Sequence, residues 1–453
     1  MTLVVLALVA AGVAQGFPLT GVLWPAYLLG VLAGAFIDIM FLENRLNKGE
    51  YTDILANSRG SRRDRIEADA RRVERRRPLD VRQESGIVEI RNHDAATAVL
   101  RRRDGHGDLT TNLERTAELA DQSDDSKPLL DRLVALAEPA ARQRNRWLVA
   151  PHLAPSALEG FRPAITAITG AALATLADAD AAELVTELAY PVAAGTMTEL
   201  LGIGQPGSEL LGAAIPQLAT LFEPDPSPEH LSAAAESISR LHRIIRSRVE
   251  THSTESNDDL VTRLCRSEFD GERLEPTDVV ANCLLLLIHG CEPMASLIAN
   301  AALTLLAQPD QRTRLAREPA LIGGYIEEIL RLDGPVKSLN RRATNDHHIG
   351  GEQIHAGQRI HLDLATINRD PRRFDQAPRL DPTRVPGHLA FGAGPAHCIG
   401  AALARIPAQE VVGQLIARYP AMSLRAAADQ QPEWVRSTTR HALHRLPVLL
   451  NPA

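Results

Sequence analysis

The chain has 453 residues, a formal net charge of -7 and only 4% aromatic residues. A chain of this length buries a sizeable core and fits about one large domain with an appendage, and its acidic balance gives no reason to expect nucleic acid as a partner. Four cysteines, Cys265, Cys283, Cys291 and Cys398, show no paired spacing, so neither a disulfide framework nor a zinc site is suggested, and too few remain for an iron–sulfur cluster.

Residues 1–37 contain no Asp, Glu, Lys or Arg, and residues 21–42 alone are long enough to cross a hydrocarbon core of about 30 Å as a helix. Residues 16–21 read as a turn, so 1–44 forms one membrane span or a tight two-helix hairpin. A cleaved signal peptide and a buried globular helix are the other readings. Arg45, Lys48, Arg59, Arg62, Arg63 and Arg65 crowd the carboxyl side, which puts that side in the cytoplasm by the positive-inside tendency. The basic stretch continues through Arg71-Arg-Val-Glu-Arg-Arg-Arg77, which lies along anionic headgroups or is a solvated linker. Residues 45–85 are taken as that linker. A wrongly assigned start would instead leave a cytoplasmic protein.

From Gly86 the pattern changes. Residues 86–91 alternate like a strand, and Asp94-Ala-Ala-Thr-Ala-Val-Leu100 reads as a helix. Arg142 and Arg146 stand four apart, one helical turn. Residues 282–300 are apolar apart from a few polar positions, among them His289, Glu292 and, one turn after His289, Pro293. Proline has no hydroxyl and no N–H, and it leaves the carbonyl of His289 without its helical partner. Glu328 and Arg331, three apart, are by themselves an ordinary surface ion pair. No glycine fingerprint for a nucleotide follows a strand, so a flavin module is not suggested.

The run Phe391-Gly-Ala-Gly-Pro-Ala-His-Cys-Ile-Gly400 is the most informative stretch. Gly392, Gly394 and Gly400 allow positive φ and close approach of a flat ligand, and a helix beginning behind the sulfur favours negative charge on it. A thiolate so placed is a metal ligand or a nucleophile.

The run resembles the haem-binding loop of the cytochrome P450 superfamily, in which Phe391, Gly394, Cys398 and Gly400 match the family pattern. The resemblance extends upstream through Arg341, Asp346, the glycine pairs and residues 368–374, and covers nearly all of the chain after Gly86. It implies a mainly α fold with a small β region over 86–453, preceded by one or two hydrophobic helices. It implies haem b as cofactor, with Cys398 as the proximal ligand of the metal and Phe391 packed beside the sulfur. Arg142, at the position of a family histidine, Arg146 and Arg341 are then propionate contacts, and Gly394, His397 and Gly400 belong to the same cofactor site. The usual basic residue two before the cysteine is Ala396, as though exchanged with His397, which weakens the loop's own propionate contact. Glu328, Arg331 and Arg384 match the family's buried ion triad.

In the central helix Gly290 and Glu292 match the family, but its alanine has become His289 and its hydroxyl residue Pro293. The family's acid and hydroxyl serve proton delivery there. Three readings follow: Glu292 with His289 or water relays protons, the substrate supplies the missing hydroxyl, or the reaction is not ordinary hydroxylation. A histidine merely hydrogen-bonded in a helix interface is the alternative for His289. The resemblance implies a monooxygenase that oxidises a small organic or secondary-metabolite substrate with O2 and an external donor such as a ferredoxin and reductase. The alternatives are an O2-independent or peroxide-driven rearrangement or dehydration, and a catalytically silent haem-binding scaffold. Residues 103–128, 202–228, 336–340 and the region near Ser437 are the expected substrate contacts, in an enzyme tethered to a membrane with its catalytic domain in the cytoplasm.

Overall fold

The computed structural model describes residues 81–84, 86–102, 106–107, 133, 146–223, 226–252, 258–269, 271–425 and 432–450. The hydrophobic segment 1–44, most of the linker 45–85, Arg142 and nearly all of 103–128 lie outside them.

The chain is mainly helical with one mixed sheet and several short strand pairs. The sheet holds β1 (Val81–Glu84), β2 (Ile87–Ile90), β3 (His106–Gly107), β4 (Ser338–Ala343) and β5 (Arg359–Asp363), in the order β1-β2-β5-β4-β3. β2 and β5 run parallel, with Ile87 opposite Arg359, and the other pairs are antiparallel. Strand β1 corrects the expected linker: residues 81–84 pair with β2, so the ordered fold reaches back at least to Val81. Its sequence Val-Arg-Gln-Glu has no apolar alternation to betray it, because an edge strand is held mainly by backbone pairing.

α1 (His93–Arg101) follows β2, as its pattern predicts, and is capped by Asn92 Oδ1 accepting from Ala95 N at 2.6 Å. Val88, Ile90, Ala96 and Val99 meet Leu339, Ile360 and Leu362 in a small core between this helix and the sheet.

The main core surrounds one long helix. Besides α2 (Arg162–Ala174), this region holds α3 (Tyr190–Leu201), α4 (Gly204–Ala219), α5 (Pro228–Thr251) and α6 (Pro276–Ala307). α6 is apolar on nearly every side and 32 residues long, the signature of a helix enclosed by others. Its length and composition would also suit a membrane span, yet most of its apolar stretch is buried inside the protein. α3, α4 and α5 pack on one side, and α7 (Ile322–Asp333) and α8 (Ala401–Arg418) on the other. The helical assignment runs unbroken through Gly290 and Pro293.

Candidate active site

The loop before α8 is built by its own backbone. Gly392 N donates to Leu389 O at 2.8 Å, His397 N to Gly394 O at 3.1 Å, and Cys398 N to Phe391 O at 2.9 Å. Gly392 and Gly394 take φ of 68° and 70°, the left-handed region that disfavours other residues. A Cβ on Gly394 would also lie 2.7 Å from Arg101 Cα and from Leu100 O, so α1 presses directly on the loop. Gly400 differs from expectation: its φ is -83°, so it needs no left-handed freedom. It caps α8 immediately behind the sulfur, and its N–H is directed at Cys398.

Cys398 is half-buried. Burial raises its thiol pKa, opposed by the Gly400 N–H and the positive charges of Arg146 and Arg405. Phe391 is covered by the guanidinium of Arg405, 4.6 Å from the ring centroid, and has His388 and His397 as further ring neighbours. Arg405 is held by Glu327 in two bonds of 2.5 and 2.9 Å, and His388 Nε2 donates to the same carboxylate at 3.1 Å. Burial would raise the pKa of Glu327, but Arg405 and His388 outweigh it and hold it at about 2. Sequence reasoning missed this cluster, whose members lie up to 78 residues apart.

A cavity separates the loop from α6. One wall is Phe391, Gly392, Cys398, Ile399, Gly400 and the first turn of α8; the opposite wall is Leu286, His289, Gly290, Pro293, Met294 and Leu297 of α6. Leu330, Pro335, Val336 and Leu339 close one side, and Met197 of α3 another. Among the described residues of the expected substrate segments, Val336 and Leu339 of 336–340 contribute to this wall. Among the described residues of 202–228 none lines the cavity, and α4 packs on α3, α5 and α6 instead. Ser437 is likewise outside the lining; its carbonyl accepts from Lys337 Nζ at 2.9 Å.

On α6 the three singled-out residues part company. His289 contributes to the cavity wall, with Nδ1 2.9 Å from Leu285 O. Burial lowers its pKa to about 3, so the ring is neutral. Pro293 lines the cavity one turn later. Glu292 does not line it: Oε1 accepts from Ser296 Oγ at 2.9 Å and from Arg440 Nη1 at 3.3 Å. Arg440 in turn binds Glu223, Nε at 2.8 Å and Nη2 closer still. Burial alone would lower the Arg440 pKa, but Glu292 and Glu223 reverse this and raise it. The Glu292 carboxylate is thus engaged by a cation that the local sequence did not announce.

The basic residues are distributed around the loop and sheet. Arg146 Nη1 donates to His397 O at 2.8 Å, and burial lowers its pKa to about 10, opposed by the charge of Cys398. In β4, Leu339, Arg341 and Ala343 alternate on the buried face. Leu339 lines the cavity, so Arg341 stands on that same face two residues along. The exposed ring of His397 lies beside Phe391. Glu328, Arg331 and Arg384 are brought together: Arg331 binds both Glu328 oxygens at 2.6 and 2.8 Å, and Arg384 Nε lies 3.3 Å from the same carboxylate. Arg331 also donates to the carbonyls of Asn368, Ala377 and Arg379, tying α7 to the segment that leads into the cysteine loop.

Among the described residues no group of three His, Cys, Asp or Glu gathers into a metal cluster. A thiol on one wall, two apolar faces and basic side chains at the margins fit a flat macrocycle bearing carboxylates.

Comparison with known proteins agrees. The family model described as cytochrome P450 matches residues 208–438. Cytochrome P450 107B1 of Saccharopolyspora erythraea is 34% identical over 313 residues, which cover 69% of this chain and 75% of that protein. The vitamin D(3) 25-hydroxylase of Pseudonocardia autotrophica is 34% identical over 335 residues, 73% of this chain and 81% of that one. The crystal structure of CYP109E1 from Bacillus megaterium in complex with corticosterone matches with a TM-score of 0.73 at 24% identity, covering 86% of this chain and 100% of that one, which shows the shared fold.

Proposed function

The chain belongs to the cytochrome P450 family and is a haem b monooxygenase that takes a small-molecule substrate and electrons from a separate redox partner; we propose that Cys398 is its proximal ligand and that the substrate is an aliphatic ring compound of the secondary-metabolite kind. The observation that carries this is the Cys398 sulfur in one wall of an apolar cavity whose opposite wall is α6. Bound haem supplies the activation of O2 and the transfer of one oxygen atom to substrate.

The protein's own residues do the rest. The Gly400 N–H, Arg146 and Arg405 favour negative charge on the sulfur, against the cost of burying it. Arg341 and Arg146 serve the haem carboxylates, with Arg142 as a further contact. Arginine suits that task because its fork pairs with a carboxylate through two bonds. Phe391, Gly392 and Ile399 keep water from the sulfur side, while the Glu328, Arg331 and Arg384 triad holds the loop's approach. On the α6 side the His289 carbonyl, deprived of an N–H by Pro293, is an acceptor for a water or a substrate hydroxyl. Glu292 braces α6 against Arg440.

The apolar lining supports an aliphatic substrate, as does the relative named for hydroxylating vitamin D(3). Turnover of a library of such compounds, run with a surrogate ferredoxin and reductase, tests the reading. O2-dependent product and a thiolate-shifted Soret band of the ferrous–CO complex are expected. Undiminished turnover without O2 and electrons would favour the rearrangement that Pro293 also accommodates.

Residues 1–44 are proposed to tether the catalytic domain to a membrane from its cytoplasmic side. Deleting them should release haem-loaded protein into the soluble fraction. Loss of haem on deletion would make the segment part of the fold instead.

A further inference from the structure

We propose that Glu327 is a positioning residue that sets the reduction potential of the bound haem, by holding Arg405 beside the cysteine loop and offsetting its charge. The proposal rests on the haem-thiolate reading above.

Arg405 is turned back along α8 toward the cysteine. Its Nη1 donates to Ala401 O at 2.8 Å, in the turn that opens α8 three residues after Cys398. The guanidinium lies 4.6 Å from the ring centroid of Phe391, whose carbonyl accepts from Cys398 N at 2.9 Å. The cation thus rests on two residues that flank the sulfur in the fold, and its field reaches the thiol.

Glu327 comes to that cation from a different helix, α7. Its carboxylate takes Nε and Nη2 in a fork of 2.5 and 2.9 Å, the geometry that fixes an arginine in both position and plane. The two side chains keep only 14% and 27% of their exposure, so solvent and salt screen the pair weakly. His388 orients the carboxylate in turn. Ala390 N donates to its Nδ1 at 3.3 Å, which leaves the proton on Nε2, 3.1 Å from the oxygen that also takes Arg405 Nη2.

A cation beside an axial thiolate favours the electron-rich ferrous state, and a carboxylate in contact with that cation cancels much of the effect. Neutralising Glu327 alone leaves Arg405 uncompensated. Neutralising Arg405 alone leaves Glu327 uncompensated. The two changes therefore move the potential in opposite directions. The electron itself comes from the redox partner, and the balance of this pair governs how readily the iron takes it.

The test uses the full-length, haem-loaded protein, titrated between its ferric and ferrous forms with the Soret band as the readout of the midpoint potential. The set is the wild type, Glu327→Gln, Arg405→Gln, Arg405→Lys and the double variant with glutamine at both positions. Glu327→Gln should shift the midpoint to more positive potential and Arg405→Gln to more negative. The double variant should fall between the two singles, and Arg405→Lys, which keeps the charge, should stay closer to wild type than Arg405→Gln. Single variants that shift in the same direction overturn the proposal, since a merely structural contribution would disturb the loop alike in both; so does the absence of any shift. Should one single variant fail to take up haem, the sign of the shift in the other decides. The ferrous–CO spectrum separates the two readings: a thiolate-shifted band in the wild type keeps Cys398 in place whatever becomes of Glu327, and its absence removes the reading on which the proposal stands.

Discussion

Replacing Arg440 with methionine removes the cation that joins three distant parts of the chain: Glu223 between α4 and α5, Glu292 on α6, and the carboxyl-terminal segment itself. Arg440 is 8% exposed and Glu292 5%, so the pair is shielded from water and from salt. Taking one partner from a buried pair strands the other charge, at a cost of about 3–5 kcal/mol. Glu223, whose side chain keeps 22% of its exposure, recovers solvation and adds little. Ser296 Oγ still donates to Glu292 at 2.9 Å and offsets part of the loss. The expected destabilisation is thus about 3 kcal/mol, at the lower end of that range. Glu292→Gln keeps the hydrogen bonds and loses the charge, so it should cost about 1–2 kcal/mol. In the double variant nothing buried is left charged on α6, and its cost should fall short of the sum of the singles by about 1 kcal/mol or more. Urea unfolding of the haem-loaded proteins, followed by far-ultraviolet circular dichroism and by the Soret band, gives all three values. Single variants within about 0.5 kcal/mol of wild type, or strict additivity in the double, would refute the argument that Arg440 neutralises Glu292 inside the protein.

Glu327→Gln should lower stability at neutral pH by about 2–3 kcal/mol, a figure discounted for partial exposure. The native pKa of about 2 lies below the ordinary 4.5, so the contribution is complete above pH 4.5 and disappears as the pH falls toward 2. Acid unfolding curves of the two proteins should accordingly converge over that window, and a gap that stays constant through it counts against the assignment. Gly394→Ala combines a φ of 70° with a Cβ 2.7 Å from α1, so haem content after purification should drop severalfold; full occupancy would mean that the loop moves at no cost. Pro293→Ala restores an N–H to the His289 carbonyl, and an interior helical proline costs up to about 3 kcal/mol relative to alanine. A gain of about 1–2 kcal/mol in thermal unfolding is expected, and a loss would show that the pyrrolidine ring's packing outweighs the missing bond.

The parts of the site that could be read from residue order are those the backbone builds locally. Gly392 and Gly394 announce a loop with left-handed turns, and Cys398 rides on it because the helix begins three residues later; all of this falls within ten positions. The Glu328–Arg331 pair was legible for the same reason, as an i,i+3 contact, with Arg384 added through the family resemblance. Gly400 shows the limit even here: its φ is -83° and a Cβ would meet the Cys398 sulfur at an ordinary 3.9 Å, so neither torsion nor contact requires glycine there. Strand β1 stayed hidden because edge pairing leaves no mark on a tetrapeptide carrying two charges. Glu292 is a different case. Helical periodicity assigns a residue to a sector about 100° wide, and His289 and Glu292, three residues apart, fall close enough that both were expected at the cavity. The choice between cavity and interface was made by Arg440, 148 positions away, which no local pattern distinguishes from the other arginines of the chain. The same interaction that takes Glu292 out of the cavity wall leaves His289 as the polar side chain of α6 there. A long-range ion pair thereby accompanies the choice of which polar residue of α6 belongs to the cavity wall.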